Sequence, residues 1–153
     1  MPNTATTNLD GVNQEWSIAD AAQTGLDFGT ASFTFEAWVK FDILGNGTNN
    51  DIFGKFLSAG DQRSYRWSYY HETTVANRKM KLHTTSDGTA GTLVSIEKAV
   101  SLVTGTWYHL ALAYTTSTGT AEWFLDGVSQ GTTASGNTTI FNGTSAFHIG
   151  QGG

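Results

Sequence analysis

The sequence predicts an all-β fold, an antiparallel β-sandwich or jelly roll, on three observations. Apolar and polar residues alternate with period two in several short stretches. Eighteen glycines punctuate these stretches, the single proline is at position 2, and turn signals recur about every ten residues, as in sandwiches and barrels. No long apolar stripe of helical period competes. A chain of 153 residues suits one domain, 1–153, with one core.

In chain order, Asn8–Ile18 reads as a first strand interrupted by polar residues, with Leu9, Trp16 and Ile18 as apolar candidates for burial. Residues 19–25 form a helical turn or a surface loop. Ser32–Phe41 predicts a central strand, with Phe33, Phe35, Ala37, Val39 and Phe41 on one face and Thr34, Glu36, Trp38 and Lys40 on the other. The Gly- and Asn-rich segment Asp42–Asp51 predicts a loop, and Ile52–Leu57 the next strand. Ser64–Tyr70 (SYRWSYY) puts Tyr65, Trp67 and Tyr69 on one face and Arg66, Ser68 and Tyr70 on the other, and periodicity leaves the buried face open. Strands follow over 78–84, with Met80 and Leu82 inward, and over 93–99.

The clearest alternation runs from Trp107 to Tyr114, with Trp107, His109, Ala111 and Ala113 opposite Tyr108, Leu110, Leu112 and Tyr114. A polar turn containing Gly119 leads to a strand over 121–126. Asp126-Gly127 supplies a pair that tolerates positive φ in a tight hairpin, so 128–132 turns back beside it. Short strands over 138–141 and 146–149 complete the pattern.

Composition removes several function classes. Without Cys, neither a disulfide framework nor a thiolate metal site is available. A net charge of −5 with only eight Lys and Arg argues against nucleic-acid binding, and Arg78, Lys79 and Lys81 form the one basic cluster. No segment has the apolar length to span a membrane, and the N-terminus lacks the basic and apolar regions of a secretory signal.

The spacing Trp107-x-His109-x-Ala111, then Gly119 and Trp123-Phe124-Leu125-Asp126-Gly127, together with FTFEAWV at 33–39, resembles the laminin-G-like and pentraxin-like domains of the concanavalin A-like superfamily. The resemblance covers nearly the whole chain. It implies the jelly-roll fold but not one function, because this scaffold hosts lectins, adhesion modules, glycosidases and structural shells. Two departures stand out. The cysteines common in pentraxins are absent, Ala111 standing at the later position, and family members usually continue past IGQGG into another strand. The last strand is therefore expected to be missing or supplied by another segment or chain, since an open apolar edge is a liability.

The resemblance also implies a calcium site. Asn50-Asp51 before a strand and Gly150-Gln151 later resemble the pentraxin ligand segments, and Asp10 is a further loop-edge oxygen, so Asp10, Asn50, Asp51 and Gln151 are the candidate ligands for Ca2+. Asn50, Asp51 and Asp10 are also ordinary turn formers. Trp38, Trp67, Tyr69 and Tyr70 are candidates to stack on sugar rings, whereas Trp107 and Trp123 are expected in the core. His109 is expected to be a buried structural residue, and His71, His83 and His148 lack zinc-ligand spacing. The sequons at Asn46, Asn137 and Asn142 matter only in a eukaryotic secreted protein.

Catalysis is not expected. The E-x-D-x-x-E string of the related glucanases is absent, Asp126 is explained as a turn residue, and no serine sits in G-x-S-x-G. The first expectation is a non-catalytic binding module for a glycan or other extracellular ligand, at a cell or particle surface, with calcium an open option. The second is a structural or decoration protein of a virion or other assembly, forming a homo-oligomer or a sheet completed by another segment. A glycoside hydrolase is third.

Overall fold

The computed structural model describes residues 8, 9 and 14–150. Ten strands follow one another: β1 (Glu15–Ile18), β2 (Phe33–Lys40), β3 (Thr48–Leu57), β4 (Gln62–His71), β5 (Lys79–Thr84), β6 (Val94–Ala99), β7 (Trp107–Thr115), β8 (Thr120–Leu125), β9 (Val128–Thr133) and β10 (Phe147–Gly150). They form a six-stranded sheet ordered β1-β10-β3-β4-β5-β6 and a four-stranded sheet ordered β2-β7-β8-β9. Every pairing is antiparallel. This is the expected jelly-roll sandwich.

The inward residues of each sheet make the core. Phe33 and Phe35 on β2, Leu110, Leu112 and Tyr114 on β7, and Ala121 and Trp123 on β8 meet Tyr65, Trp67 and Tyr69 on β4, Met80 and Leu82 on β5, and Ile96 on β6. Each large apolar side chain withdrawn from water contributes about 1.5–3 kcal/mol, which explains why period two fixes strand orientation. Two of the buried polar tips are satisfied within the core: Tyr69 Oη donates to Val100 O and accepts from Leu102 N, and Trp123 Nε1 donates to Thr133 Oγ1. The Asp126-Gly127 hairpin has both φ values positive, 49° and 77°, as the sequence implies. Gly119, at φ 61°, lies against residue 136, where an added Cβ would come within 2.2 Å of Gly136 O.

Among the described residues, one charged side chain has no exposed surface at all. Lys55, on β3, has no exposed side-chain surface, and its Nζ donates to Asp20 Oδ1 and Asp27 Oδ1. Asp20 sits in the 3-10 turn Asp20–Ala22, and Asn142 lies beside the same amine at 3.5 Å. The cluster ties the segment before β2 and the loop before β10 onto β3, since a buried ammonium holds its partners tightly. Lys55 holds the Asp20 carboxyl below its ordinary range chiefly by hydrogen bonding, against the raising effect of burial.

Several expectations need correction. β2 is an edge strand of its sheet among the described residues, not a central one. β3 begins at Thr48, so the expected loop gives up Asn50 and Asp51 to a strand. The segment 138–141 forms only an isolated bridge, Gly29 to Ile140. β1 is limited to four residues on the sheet margin, leaving Trp16 and Ile18 exposed at 60% and 39%.

Candidate functional site

The alternation that buries Phe33 and Phe35 turns Glu36, Trp38 and Lys40 outward from β2. Trp38 is 67% exposed and lies opposite His109 on β7, with ring centroids 5.2 Å apart. His109 Nε2 is 3.6 Å from Glu36 Oε2. Trp107, two residues before His109 on the same face, is 46% exposed and lies opposite Lys40, whose Nζ is 3.2 Å from Asp42 Oδ1. The outer face of the four-stranded sheet therefore presents two tryptophans around a histidine, with polar groups at their rim.

This placement overturns two core assignments. Leu110, Leu112 and Tyr114 occupy the inward positions of β7, so Trp107 and His109, in the alternate register, are outside. Trp123 is in the core, as expected.

On β4 the inward face is the one carrying Tyr65, Trp67 and Tyr69. Trp67 and Tyr69 are wholly buried, Trp67 packing against Phe53 and Phe35, so neither ring has a face to offer a ligand. Of the four expected stacking residues only Trp38 and Tyr70 reach a surface, and they lie on opposite sides of the sandwich. Tyr70 belongs to the outer face of the six-stranded sheet, beneath Lys81 Nζ at 4.8 Å and Lys79 Nζ at 5.8 Å from its ring centroid. Its hydroxyl donates to Glu72 Oε1 at 2.6 Å, which raises the Tyr70 pKa and lowers that of Glu72. Beside it, burial works to raise Glu97, but hydrogen bonds from Lys79 and Lys81 outweigh it and hold this carboxyl below the usual range.

The two expected calcium ligands within the described residues, Asn50 and Asp51, point to opposite faces. Asn50 pairs across to Tyr69 in the inward row, while Asp51 pairs to Ser68 in the outward row. Consecutive strand residues point to opposite faces. Asn50 Oδ1 accepts from Gly45 N and its amide donates to Tyr69 O, making it a loop fastener, whereas Asp51 Oδ2 lies 3.7 Å from Arg66 Nη1. Asp10 and Gln151 lie outside the described residues. Among the described residues, no three His, Cys, Asp or Glu side chains gather as a metal cluster. The Asn50 and Asp51 side chains thus do not fit one common ion.

Sequence reasoning missed the Trp107 contribution and the row Arg66, Ser68 and His83. The available signal for Trp107 was the more apolar composition of the opposite face of its strand.

A laminin G family model, described as the concanavalin A-like lectin/glucanases superfamily, matches residues 10–153. No curated protein matches the chain. Among solved structures, the native heptameric SAP-like pentraxin of Limulus polyphemus superposes with a TM-score of 0.57 and 18% identity, over 82% of this chain and 54% of that one. A Bacteroides ovatus ATCC 8483 protein, provisionally described as carbohydrate binding, gives 0.58 and 19% over 88% of this chain and 34% of its own. Domain 4 of the extracellular GH43 arabinanase AbnA from Geobacillus stearothermophilus, in complex with arabinotriose, gives 0.55 and 17% over 82% and 53%. The chain thus spans a third to about half the length of these structures, and at such identities the likeness is one of fold. With the family model spanning nearly its whole length, this chain belongs to the laminin G family of the concanavalin A-like lectin/glucanases superfamily.

Proposed function

We propose that this chain is a non-catalytic module that binds a glycan, with Trp38 and Trp107 as the stacking platform. The observation that carries this reading is the exposure of both rings on one sheet face, 67% and 46%, where they contribute little to the core. Indole faces match the apolar faces of sugar rings, while Glu36, Lys40 and His109 at the rim suit hydroxyl groups. The carbohydrate-linked structural neighbours agree with this reading at the level of fold. Such a module acts at an extracellular or particle surface.

The Asp51 and Glu97 pair does not have the spacing of paired glycosidase carboxylates. Asp51 and Glu97 share one cross-strand row on the outer face of the six-stranded sheet, with β4 and β5 between them. Three strand spacings put them about 14 Å apart, beyond the roughly 5–9.5 Å used by paired glycosidase carboxylates.

The test is glycan-array binding of the wild-type chain and of Trp38→Ala and Trp107→Ala, each with calcium and with chelator. Binding that weakens in both variants supports the proposal. Folded protein that binds no glycan under either condition, or variants that bind as wild type, would count against it. A signal present only with calcium would restore the metal-assisted form.

A further inference from the structure

The side of the molecule remote from Trp38 carries a second group of polar residues that the platform does not use. β3 shifts register on both sides of Gly54, between Asp51 and Phe53 and between Lys55 and Phe56. Bulges of this kind re-aim side chains. Gly54 lies opposite Arg66, and a Cβ there would come within 2.8 Å of Tyr65 O and 2.9 Å of Arg66 Cα, so glycine lets the two strands close beneath Arg66. Phe56, 5% exposed, then supports the guanidinium, its ring centroid 4.6 Å from Arg66 Cζ.

The Arg66 side chain is thus pinned but not fully used. Asp51 Oδ2 lies 3.7 Å from its Nη1, and the buried Nε has no hydrogen-bond partner among the described residues. Around it, Ser68 Oγ is fully buried and His83 is 6% exposed, and Ser68 Oγ and His83 Nδ1 likewise lack a partner there. Burial, reinforced by Arg66 and Lys81, pushes His83 down to about 4, so its ring is neutral at pH 7. Buried polar groups are normally paired, and three adjacent exceptions on one outer face point to an external partner. Arg66 itself keeps 19% of its side chain open to solvent.

Local charge narrows the ligand. Glu97 engages both Lys79 and Lys81, and Glu72 also acts on Lys79, so among the described residues the cation with a donor left unpaired on this face is the single guanidinium of Arg66. That suits a monoanion better than a phosphate group, which carries nearly two charges. A planar guanidinium pairs best with a planar two-oxygen acceptor.

We infer that the outer face of the six-stranded sheet holds an anion site, centred on Arg66 and flanked by Ser68 and His83, that takes the carboxylate of an acidic sugar. The inference rests on the glycan reading for its ligand class but uses a different face, so the two fail separately.

The experiment is calorimetric titration of the full chain with oligogalacturonate, its methyl ester and a sulfated neutral oligosaccharide, alongside the Arg66 Nε–H signal in nitrogen-15 NMR. The free acid is expected to bind at least tenfold more tightly than the other two and to move the Arg66 signal. Arg66→Lys, which keeps the charge and loses the fork, should lose that preference, whereas Trp38→Ala should retain it. Equal binding of acid and ester, preference for the sulfated sugar, no binding by the folded wild type, or an unmoved Arg66 signal would each overturn the site. Should Arg66→Lys fold poorly, the wild-type acid-to-ester ratio and the NMR shift still decide.

Discussion

Asn50 and Asp51, adjacent in sequence, project to opposite faces of β3, one toward Tyr69 and the other toward Ser68. The relationship separates two side chains that the family resemblance joins around one ion. Asn50→Ala should therefore leave calcium response unchanged while losing the bonds to Gly45 N and Tyr69 O. The expected loss is about 1–2 kcal/mol of stability. Urea unfolding with calcium and with chelator checks both parts, and a calcium-dependent difference between wild type and variant would reinstate the ligand role.

Removing Trp38 should cost the fold little. Its ring is two-thirds exposed, so Trp38→Ala is expected within about 0.5 kcal/mol of wild type in stability. Glycan affinity should fall on the order of tenfold, about 1.4 kcal/mol. Paired unfolding and binding measurements separate these effects, and a large stability loss would place Trp38 in the packing instead.

Lys55 has the reverse profile. Lys55→Met strands two carboxylates that converge on its amine and should destabilise the chain by about 3 kcal/mol. Adding Asp20→Asn and Asp27→Asn should recover part of the loss, because the uncompensated charge disappears. Thermal unfolding of the single and triple variants provides the check, with equal melting points arguing against a charge-based origin.

His83 gives the fold a pH dependence of definite sign. Its folded pKa is about 4, below the ordinary 6.5, so between these values the unfolded chain binds more protons. This contribution is complete above pH 6.5 and lost as pH falls toward 4. The shift corresponds to about 3 kcal/mol at most. His83→Gln should flatten the stability profile in this window; an unchanged slope would show that His83 is not the source. The Asp20 contribution lies lower, present above the unfolded carboxylate range and lost as pH falls through its depressed folded value.

Strand order along the chain was legible wherever one face was markedly more apolar than the other. Phe33 and Phe35 against Thr34 and Glu36 fix orientation by burial alone, whereas on β7 the contrast of Leu110 and Leu112 with His109 and Ala111 was present but was outweighed by the large Trp107 ring, which was expected in the core. SYRWSYY did not yield to that test, because both faces carry tyrosine and the choice depended on what β5 brings opposite, Met80 and Leu82 inward and Lys79 and Lys81 outward. The same limit applied to the sites. Trp38 was recognisable as outward, but its neighbour Trp107 and the Arg66 group become sets only through cross-strand register, which single-strand periodicity does not contain.

β1 and β10 run antiparallel with Glu15 opposite Gly150, so the described chain enters and leaves the sandwich at one corner. Tension applied through both ends would open this pair as a zipper, one hydrogen bond after another, instead of loading its four residue pairs in shear. Under such a load this margin of the six-stranded sheet peels, whereas the pairs that set Trp38 beside His109 and Arg66 beside His83 lie on other strands of the sandwich.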